Sequence, residues 1–199
     1  PDVRVAGLCD LDPAVLARVA KSIPEAKGKP FLTTDARELI ARQDIDAVMV
    51  VACNHWHALL TIWACQAGKD VYVEKPMCRC LTEVRRLHAA AKAAGVVTQM
   101  GNQGRAAEGI RLAREWVQAG LIGDVHTVHT WTDRPRTPWF YPADFDPDAN
   151  PKETPVPATL DWDLWLGVAP QRPYRPELVP SFWRGFTDYG TGSLGDMGC

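Results

Sequence analysis

The chain has 199 residues, 46% of them hydrophobic, and a formal net charge of −2. The near-neutral charge gives no reason to expect nucleic acid or an anionic membrane surface as a partner. No run of about eighteen apolar residues occurs, so no membrane-spanning helix is predicted. Six scattered cysteines predict free, mostly buried thiols and lean towards a reducing compartment.

Residues 1–121 alternate apolar runs with amphipathic segments, which is typical of strand–helix–strand units in a parallel, doubly wound α/β sheet. The strands are predicted at residues 3–9, 31–32, 47–52, 71–73 and 96–98. The helices are predicted after Asp12, at 34–40, and at 55–67, 82–94 and 105–119, with Asp12, Thr34 or Asp35, and Thr82 as N-caps. We expect run 47–52 to be buried on both faces and the last helix to turn Ile110, Ala113 and Val117 inward.

Residues 122–199 are predicted to begin a second domain. Residues 125–132 alternate with period two, which predicts a long strand with one exposed face. A loop from about Arg134 to Pro157 is rich in proline and aromatic residues, and long loops of this kind are often functional. Leu160 to Leu166 reads as a short helix or turn.

Glu74-Lys75-Pro76 follows the apolar run 71–73 and is the most informative motif. The motif places a lysine at the carboxyl end of a strand, and open α/β sheets bind ligands at the edge where the carboxyl ends of their strands lie. A lysine held there can carry a proton to or from a substrate hydroxyl. The alternative is a solvated turn lysine.

Asp10 ends the first predicted strand, where dinucleotide-binding folds place an acid that accepts hydrogen bonds from adenosine ribose hydroxyls. Such an acid repels a 2′-phosphate and favours NAD over NADP; the alternative is that Asp10 only begins a turn. If run 3–9 is the second strand of that fold, the first strand and its glycine loop precede Pro1. Gly190–Gly195 matches G-x-G-x-x-G, but that motif requires a strand before it, a helix after it and an acid about twenty residues on, and only four residues follow it in the given sequence, so we do not assign it to phosphate.

Cys53 to His57 spans the end of run 47–52 and the start of a helix, a position that can face an anion or a cofactor. Asn54 or His55 would serve as the helix cap. His55 and His57 suggest a metal, yet no third ligand has a suitable spacing, so no metal site is predicted.

Four signals in order resemble the Gfo/Idh/MocA oxidoreductase family across almost the whole chain. They are Asp10, Asn54 to His57, Glu74-Lys75-Pro76, and Gly195-Asp196-Met197-Gly198. The tract 160–167, followed by Trp183-Arg184, resembles a bacterial subgroup thought to act on sugars.

The resemblance implies specific roles. Lys75 would assist proton transfer at the substrate hydroxyl, and Asp196 would position Lys75 and the substrate. The implied cofactor-binding residues are Asp10, Asn54, His57, Glu74, Lys75 and Pro76. The implied substrate contacts are Lys75, Trp183 and Arg184. A histidine acid/base is expected at the fourth residue after Asp196, which is the position following Cys199.

The resemblance also implies a Rossmann domain over residues 1–121 and, over 122–199, the start of an α+β domain with a large, mostly antiparallel sheet. The expected function is oxidation of a secondary hydroxyl of a sugar or cyclitol with NAD. The alternatives are an NAD-dependent glycosidase that uses transient oxidation and a non-catalytic dinucleotide-binding regulator. A homo-oligomeric parent protein is expected, cytoplasmic or exported. Without the first strand and glycine loop, we expect the isolated chain to bind NAD poorly, to have unpaired strand edges and to be inactive.

Overall fold

The computed structural model describes residues 3–24, 28–131 and 154–199. The part of the predicted proline-rich loop that precedes residue 154 therefore lies outside the described residues. The described strands are β1 (Gly7–Cys9), β2 (Phe31–Thr33), β3 (Ala47–Val50), β4 (Asp70–Glu74) and β5 (Thr98–Gly101). The α-helices are α1 (Pro13–Ala20), α2 (Ala36–Ile40), α3 (Asn54–Gln66), α4 (Leu81–Ala94), α5 (Glu108–Gln118), α6 (Trp162–Leu166) and α7 (Gly192–Met197). Short 3₁₀ helices span Gln103–Ala106 and Phe182–Gly185.

The strands are parallel, and helices connect them, which confirms the predicted Rossmann-type α/β fold. β1 pairs with β2, and β4 lies between β3 and β5 in a second sheet. Among the described residues β1 and β3 do not pair, so each keeps one unpaired edge. The carboxyl ends of β3, β4 and β5 meet at one edge, which we call the rim. The rim carries Glu74 at the end of β4, followed directly by Lys75.

Two apolar clusters organise the packing. The first lies between the three-stranded sheet and α3 and is formed by Val50, Ala64, Cys65, Val71 and Val73. The second is formed largely by residues 160–189 and reaches back to Leu11 and Cys53 near the ends of β1 and β3. The second cluster therefore ties the C-terminal segment to the region around the rim.

Lys69 shows how the chain satisfies a buried charge close to the first cluster. It is buried, and its ammonium donates to the carbonyl oxygens of Arg42 and Ile45, each at 2.8 Å. Arg42 lies just after α2, where helix carbonyls lack intrahelical partners. The buried lysine thus fixes the segment between α2 and β3.

Helix starts agree with the sequence at two positions and differ at two. Asp12 caps α1 and Asp35 caps α2, each accepting a backbone N–H two residues ahead. The predicted caps Thr82 and Asn54 or His55 are wrong, because α4 begins after Cys80 and α3 begins after Cys53, neither with a side-chain cap. Both cysteines occupy the N-cap position with an extended backbone, and neither side chain accepts a hydrogen bond from the first turn of the helix.

The predicted burial of β3 on both faces and of one face of α5 is wrong. Met49 and Val51 are each 64% exposed, so one face of the predicted strand is largely open among the described residues. Ile110 is 57% exposed and Val117 46% exposed, and no residue of α5 is buried. The contacts of α5 among the described residues are mainly with the 3₁₀ helix before it. Periodicity identified the helix, but burial depends on what packs against it.

The long strand predicted at 125–132 is not formed in the part that the structure describes, residues 125–131. Val128 and Trp131 are exposed there. A strand requires a neighbour for its backbone hydrogen bonds, and no described segment pairs with these residues. The strand predicted at 96–98 lies slightly later, as β5.

All six cysteines are free, but the prediction that most are buried is wrong, because only Cys65 is buried. None of the helices in the described ranges is both long and apolar enough to span a bilayer.

Candidate active site

Lys75 and Asp196, which are 121 residues apart, meet at the rim. The Lys75 ammonium donates to the Asp196 carbonyl oxygen at 2.5 Å and to its carboxylate Oδ1 at 2.9 Å. The Lys75 side chain is 30% exposed and that of Asp196 10% exposed. An ammonium has three donors, so two hold the lysine to α7 while the head remains accessible from solvent. The arrangement provides a fixed, accessible cationic donor.

Glu74 lies beside Lys75, with its carboxylate spread over the end of β5. Gln103 donates from Nε2 to Oε1 at 2.5 Å, and the Lys75 backbone N–H donates to Oε2 at 3.2 Å. The Lys75 ammonium contacts Asp196 instead, so the acid and the ammonium at the rim are held by different side chains.

Asp10 follows β1 and is exposed. Its Oδ1 accepts the backbone N–H of Asp12 at 2.9 Å, while Asp12 caps α1. Asp10 therefore does help to shape a turn. Its exposed carboxylate still lies at a strand end, where the sequence suggested a ribose contact.

Asn54, His57 and Pro76 make protein contacts. Asn54 donates to the Thr191 hydroxyl at 3.3 Å, which links α3 to α7. His57 is 1% exposed, and its Nδ1 and Nε2 each lie 2.8 Å from a carbonyl oxygen, those of Pro76 and Ala52. Both ring nitrogens therefore face the backbone. His57 connects the end of β3 with the turn that follows Lys75.

The C-terminal segment docks on the rim largely through backbone carbonyl oxygens. The His55 backbone N–H donates to Tyr189 O at 3.1 Å, and the Trp56 indole N–H lies 3.1 Å from Leu164 O. Arg79 donates to the carbonyl of Asp188. The first residues of α3 and the turn after β4 thereby hold the segment that carries Asp196.

Gly167 allows the segment to approach α3 closely. Its φ is +50°, and a Cβ there would lie 2.2 Å from the Trp56 indole. Any side chain at this position would push α6 away from α3. The glycine is therefore needed both for its backbone conformation and for the contact with Trp56.

Trp183 and Arg184 differ in environment. Trp183 is 5% exposed, belongs to the second cluster and donates its indole N–H to Pro180 O at 3.0 Å. Arg184 is partly exposed, and its guanidinium lies 4.4 Å from the centre of the Trp183 ring. Burial favours a packing role for Trp183 and leaves Arg184 as the accessible member of the pair.

Cys53 lies at the end of the rim but is a poor nucleophile. Burial raises the pKa of its thiol to about 12, so the thiolate is scarce at neutral pH. The described residues contain no cluster of three or more His, Cys, Asp or Glu side chains that could bind a metal.

His55 is a buried base in the docking contact. Its Nε2 lies 2.8 Å from Trp165 O and therefore carries the proton, while Nδ1 is buried and has no hydrogen-bond partner among the described residues. The ring packs against Trp165 and Tyr189. Burial lowers the pKa of His55 below the ordinary value of about 6.5.

We predict that acid weakens the fold through His55. Below about pH 6.5 His55 is protonated in the unfolded state but stays neutral in the folded state. The free energy of unfolding therefore decreases as the pH is lowered, by at most about 1.4 kcal/mol per pH unit, until the pH reaches the lowered pKa of the folded state. Urea unfolding between about pH 7.5 and about pH 5.5 should therefore show a smaller pH dependence for His55→Gln than for the wild type. His88→Gln, at an exposed position, is the control. Equal slopes for His55→Gln and the wild type would contradict the prediction.

Sequence reasoning missed several residues that shape the site. Gly101 and Gln103 contact Glu74, while Asp188, Tyr189 and Thr191 receive contacts from the rim. Asp188 and Tyr189 act through backbone carbonyls, which leave no side-chain signal in a sequence. Gly101 was detectable only as a glycine after a strand.

Comparison with known proteins identifies the family. Residues 1–102 match the sequence model of the Gfo/Idh/MocA oxidoreductase family described as an NAD-binding Rossmann fold. Residues 110–199 match the model of the family's C-terminal alpha/beta domain.

Individual relatives agree with this match. Levoglucosan dehydrogenase of Pseudarthrobacter phenanthrenivorans is 27% identical over 136 residues, which are 66% of this chain and 34% of that protein. A glycosyl hydrolase family 109 protein of Shewanella is 35% identical over 86 residues, covering 41% of this chain and 19% of that protein. The crystal structure of myo-inositol 2-dehydrogenase from Lactobacillus plantarum is 28% identical, with a TM-score of 0.56 over 62% of this chain and 35% of that one. The chain thus spans about a third or less of these relatives, and it belongs to the Gfo/Idh/MocA oxidoreductase family.

Proposed function

We propose that the protein oxidises a secondary hydroxyl of a sugar or cyclitol and that NAD, when bound, accepts the hydride. The observation that carries this proposal is the Lys75–Asp196 contact at the rim, with Nζ 2.9 Å from Oδ1. A strand-end lysine held in place by a carboxylate suits a substrate oxygen that must lose its proton. The sugar and cyclitol dehydrogenases among the relatives support the choice of substrate class.

Lys75 has the central role in this proposal. Its ammonium would donate a hydrogen bond to the substrate oxygen with the donor not used by Asp196, and so stabilise the negative charge that develops there. Asp196 fixes the direction of that donor through two contacts. For the hydroxyl proton to leave through Lys75, the ammonium would first give one proton to solvent or to another base; the neutral amine would then accept the hydroxyl proton, which restores the ammonium beside the substrate oxygen.

The residues at the rim fit part of an NAD molecule. Glu74 offers a half-buried carboxylate for ribose hydroxyls beside Lys75, and the exposed Asp10 carboxylate offers the same for the adenosine ribose. Asp10 would repel a 2′-phosphate, which favours NAD over NADP. Asn54, His57 and Pro76 would support the cofactor indirectly, because they fix α3 and the turn after β4.

Substrate contacts are proposed for Lys75 and Arg184. Arg184 is partly exposed and carries donors suited to hydroxyl groups. Trp183 would instead hold Arg184 in place through the stacking contact at 4.4 Å.

A second candidate is an NAD-dependent glycosidase, which the similarity to a glycosyl hydrolase family 109 protein favours. In such an enzyme oxidation is transient, the glycosidic group is eliminated, and the hydride returns to the sugar. A non-catalytic regulator is the third reading. The intact Lys75–Asp196 pair argues against it, since a regulator has no need of a fixed proton carrier.

Net NADH formation distinguishes these functions. The protein, expressed from its complete reading frame, is mixed with NAD and a panel of sugars, cyclitols and aryl glycosides. We expect NADH to accumulate in proportion to a sugar or cyclitol consumed. Glycoside cleavage that requires NAD without accumulating NADH would establish the glycosidase instead. Tight NAD binding with neither reaction would favour the regulator.

A further inference from the structure

The end of β5 leaves room for the Glu74 carboxylate. Gly101 pairs in register with Glu74, and a Cβ at position 101 would lie 2.7 Å from Glu74 Oε1 and 3.0 Å from Oε2. Gly101 is not among the described glycines with positive φ, so its backbone conformation does not require glycine. Glycine is needed at position 101 because the Glu74 carboxylate occupies the space that a side chain there would fill.

Two donors hold the carboxylate in this place. Gln103 Nε2 contacts Oε1 at 2.5 Å, and the Lys75 backbone N–H contacts Oε2 at 3.2 Å. Each carboxylate oxygen can accept two hydrogen bonds. With one donor on each oxygen among the residues that the structure describes, both oxygens keep the capacity to accept a hydrogen bond from a ligand.

We propose that Gly101 and Gln103 are positioning residues that hold the Glu74 carboxylate flat across the rim to receive two adjacent ribose hydroxyls of NAD. This inference rests on the proposed function, since it assumes that NAD binds at the rim. A vicinal diol presents two O–H donors, and a carboxylate with both oxygens exposed to it accepts both. Gly101 supplies the space, and Gln103 fixes the rotation of the carboxylate.

The position of the carboxylate also separates the two charged side chains of the motif. Lys75 Nζ contacts Asp196, while Glu74 contacts Gln103. A carboxylate displaced from Gly101 would lose its aligned pair of acceptors. The affinity for NAD should therefore depend on residue 101 only while Glu74 is present.

A double-mutant cycle on the protein expressed from its complete reading frame tests this dependence. Calorimetry measures the Kd for NAD of the wild type, Gly101→Ala, Glu74→Ala and the double variant. We expect Gly101→Ala to weaken binding about tenfold in the wild type, the loss of roughly one charge-assisted hydrogen bond. We expect it to have less than about a twofold effect in the Glu74→Ala background. Gly104→Ala is the matched control, because a Cβ there meets no atom of the described residues within 4 Å.

Gln103→Leu keeps the test decisive if Gly101→Ala fails to fold. Gln103 is exposed, so its substitution should leave thermal unfolding unchanged while the Kd rises about threefold to tenfold. An unchanged Kd in a folded variant would overturn the inference, as would an equal effect of Gly101→Ala with and without Glu74. In both cases the wild type still binds NAD and the proposed function stands. If the wild type does not bind NAD, the proposed function and this inference both fail.

Discussion

Replacement of Lys75 by methionine should lower turnover about a hundredfold to ten-thousandfold, the range that a positioned proton-transfer group contributes. Methionine preserves most of the length of the side chain but removes the ammonium, which the structure places 2.9 Å from Asp196 Oδ1. NAD affinity should change only a few-fold, because the proposed ribose contacts belong to Glu74 and Asp10. Steady-state kinetics and calorimetry on the protein from its complete reading frame measure the two effects separately.

Two further variants sharpen this prediction. Lys92→Met removes an exposed lysine from the last turn of α4 and should leave turnover unchanged. Asp196→Asn keeps the carbonyl contact of Lys75 but weakens the charged one, so its turnover should lie between those of the wild type and Lys75→Met. If Lys75→Met turns over substrate as fast as Lys92→Met does, Lys75 has no part in the reaction.

Local sequence signals predicted the regular elements around the rim well. The apolar runs 47–52 and 71–73, each followed by a helix, place Cys53 and Glu74 at neighbouring strand ends, and β3 and β4 do pair in parallel. Asp12 with Pro13 and Asp35 mark helix starts correctly, because capping is a local interaction between a side chain and nearby N–H groups.

Long-range features were less predictable. The meeting of Lys75 with Asp196 was inferred from family resemblance, since nothing local in residues 195–198 points to a lysine 121 residues away. The docking of the C-terminal segment depends on backbone carbonyls of Tyr189 and Asp188, which every residue possesses. Burial of β3 and α5 was misjudged because periodicity shows which face is apolar and not whether another segment covers it.

The contrast between Trp183 and Arg184 has a similar origin. The sequence presented them as one motif with one function, but adjacent residues on a short 3₁₀ helix face different directions. The Trp183 side chain packs in the cluster with Trp165, Leu178 and Tyr189, whereas the Arg184 side chain is partly exposed. This division would separate stability from the proposed substrate recognition, and the two effects can be measured independently.

Trp183→Ala should therefore destabilise the fold by about 3–5 kcal/mol, the usual effect of removing a large buried aromatic side chain. The loss combines a cavity among Trp165, Leu178 and Tyr189 with the loss of the indole contact to Pro180 O at 3.0 Å. Urea unfolding measures the change in free energy. Trp116→Ala is the matched control, because Trp116 is 55% exposed on α5 and its removal should change stability by less than about 0.5 kcal/mol.

Trp183→Phe separates packing from substrate contact. It fills much of the cavity, so the protein should stay folded, with a KM for its sugar or cyclitol close to that of the wild type. Arg184→Ala should instead raise KM with little loss of stability, because the guanidinium is partly exposed and contacts Ser181 O and the Trp183 ring. A large rise in KM for Trp183→Phe at unchanged stability would assign the indole to the substrate and remove its packing role. In that case the second cluster would have to open at Trp183 when the substrate binds.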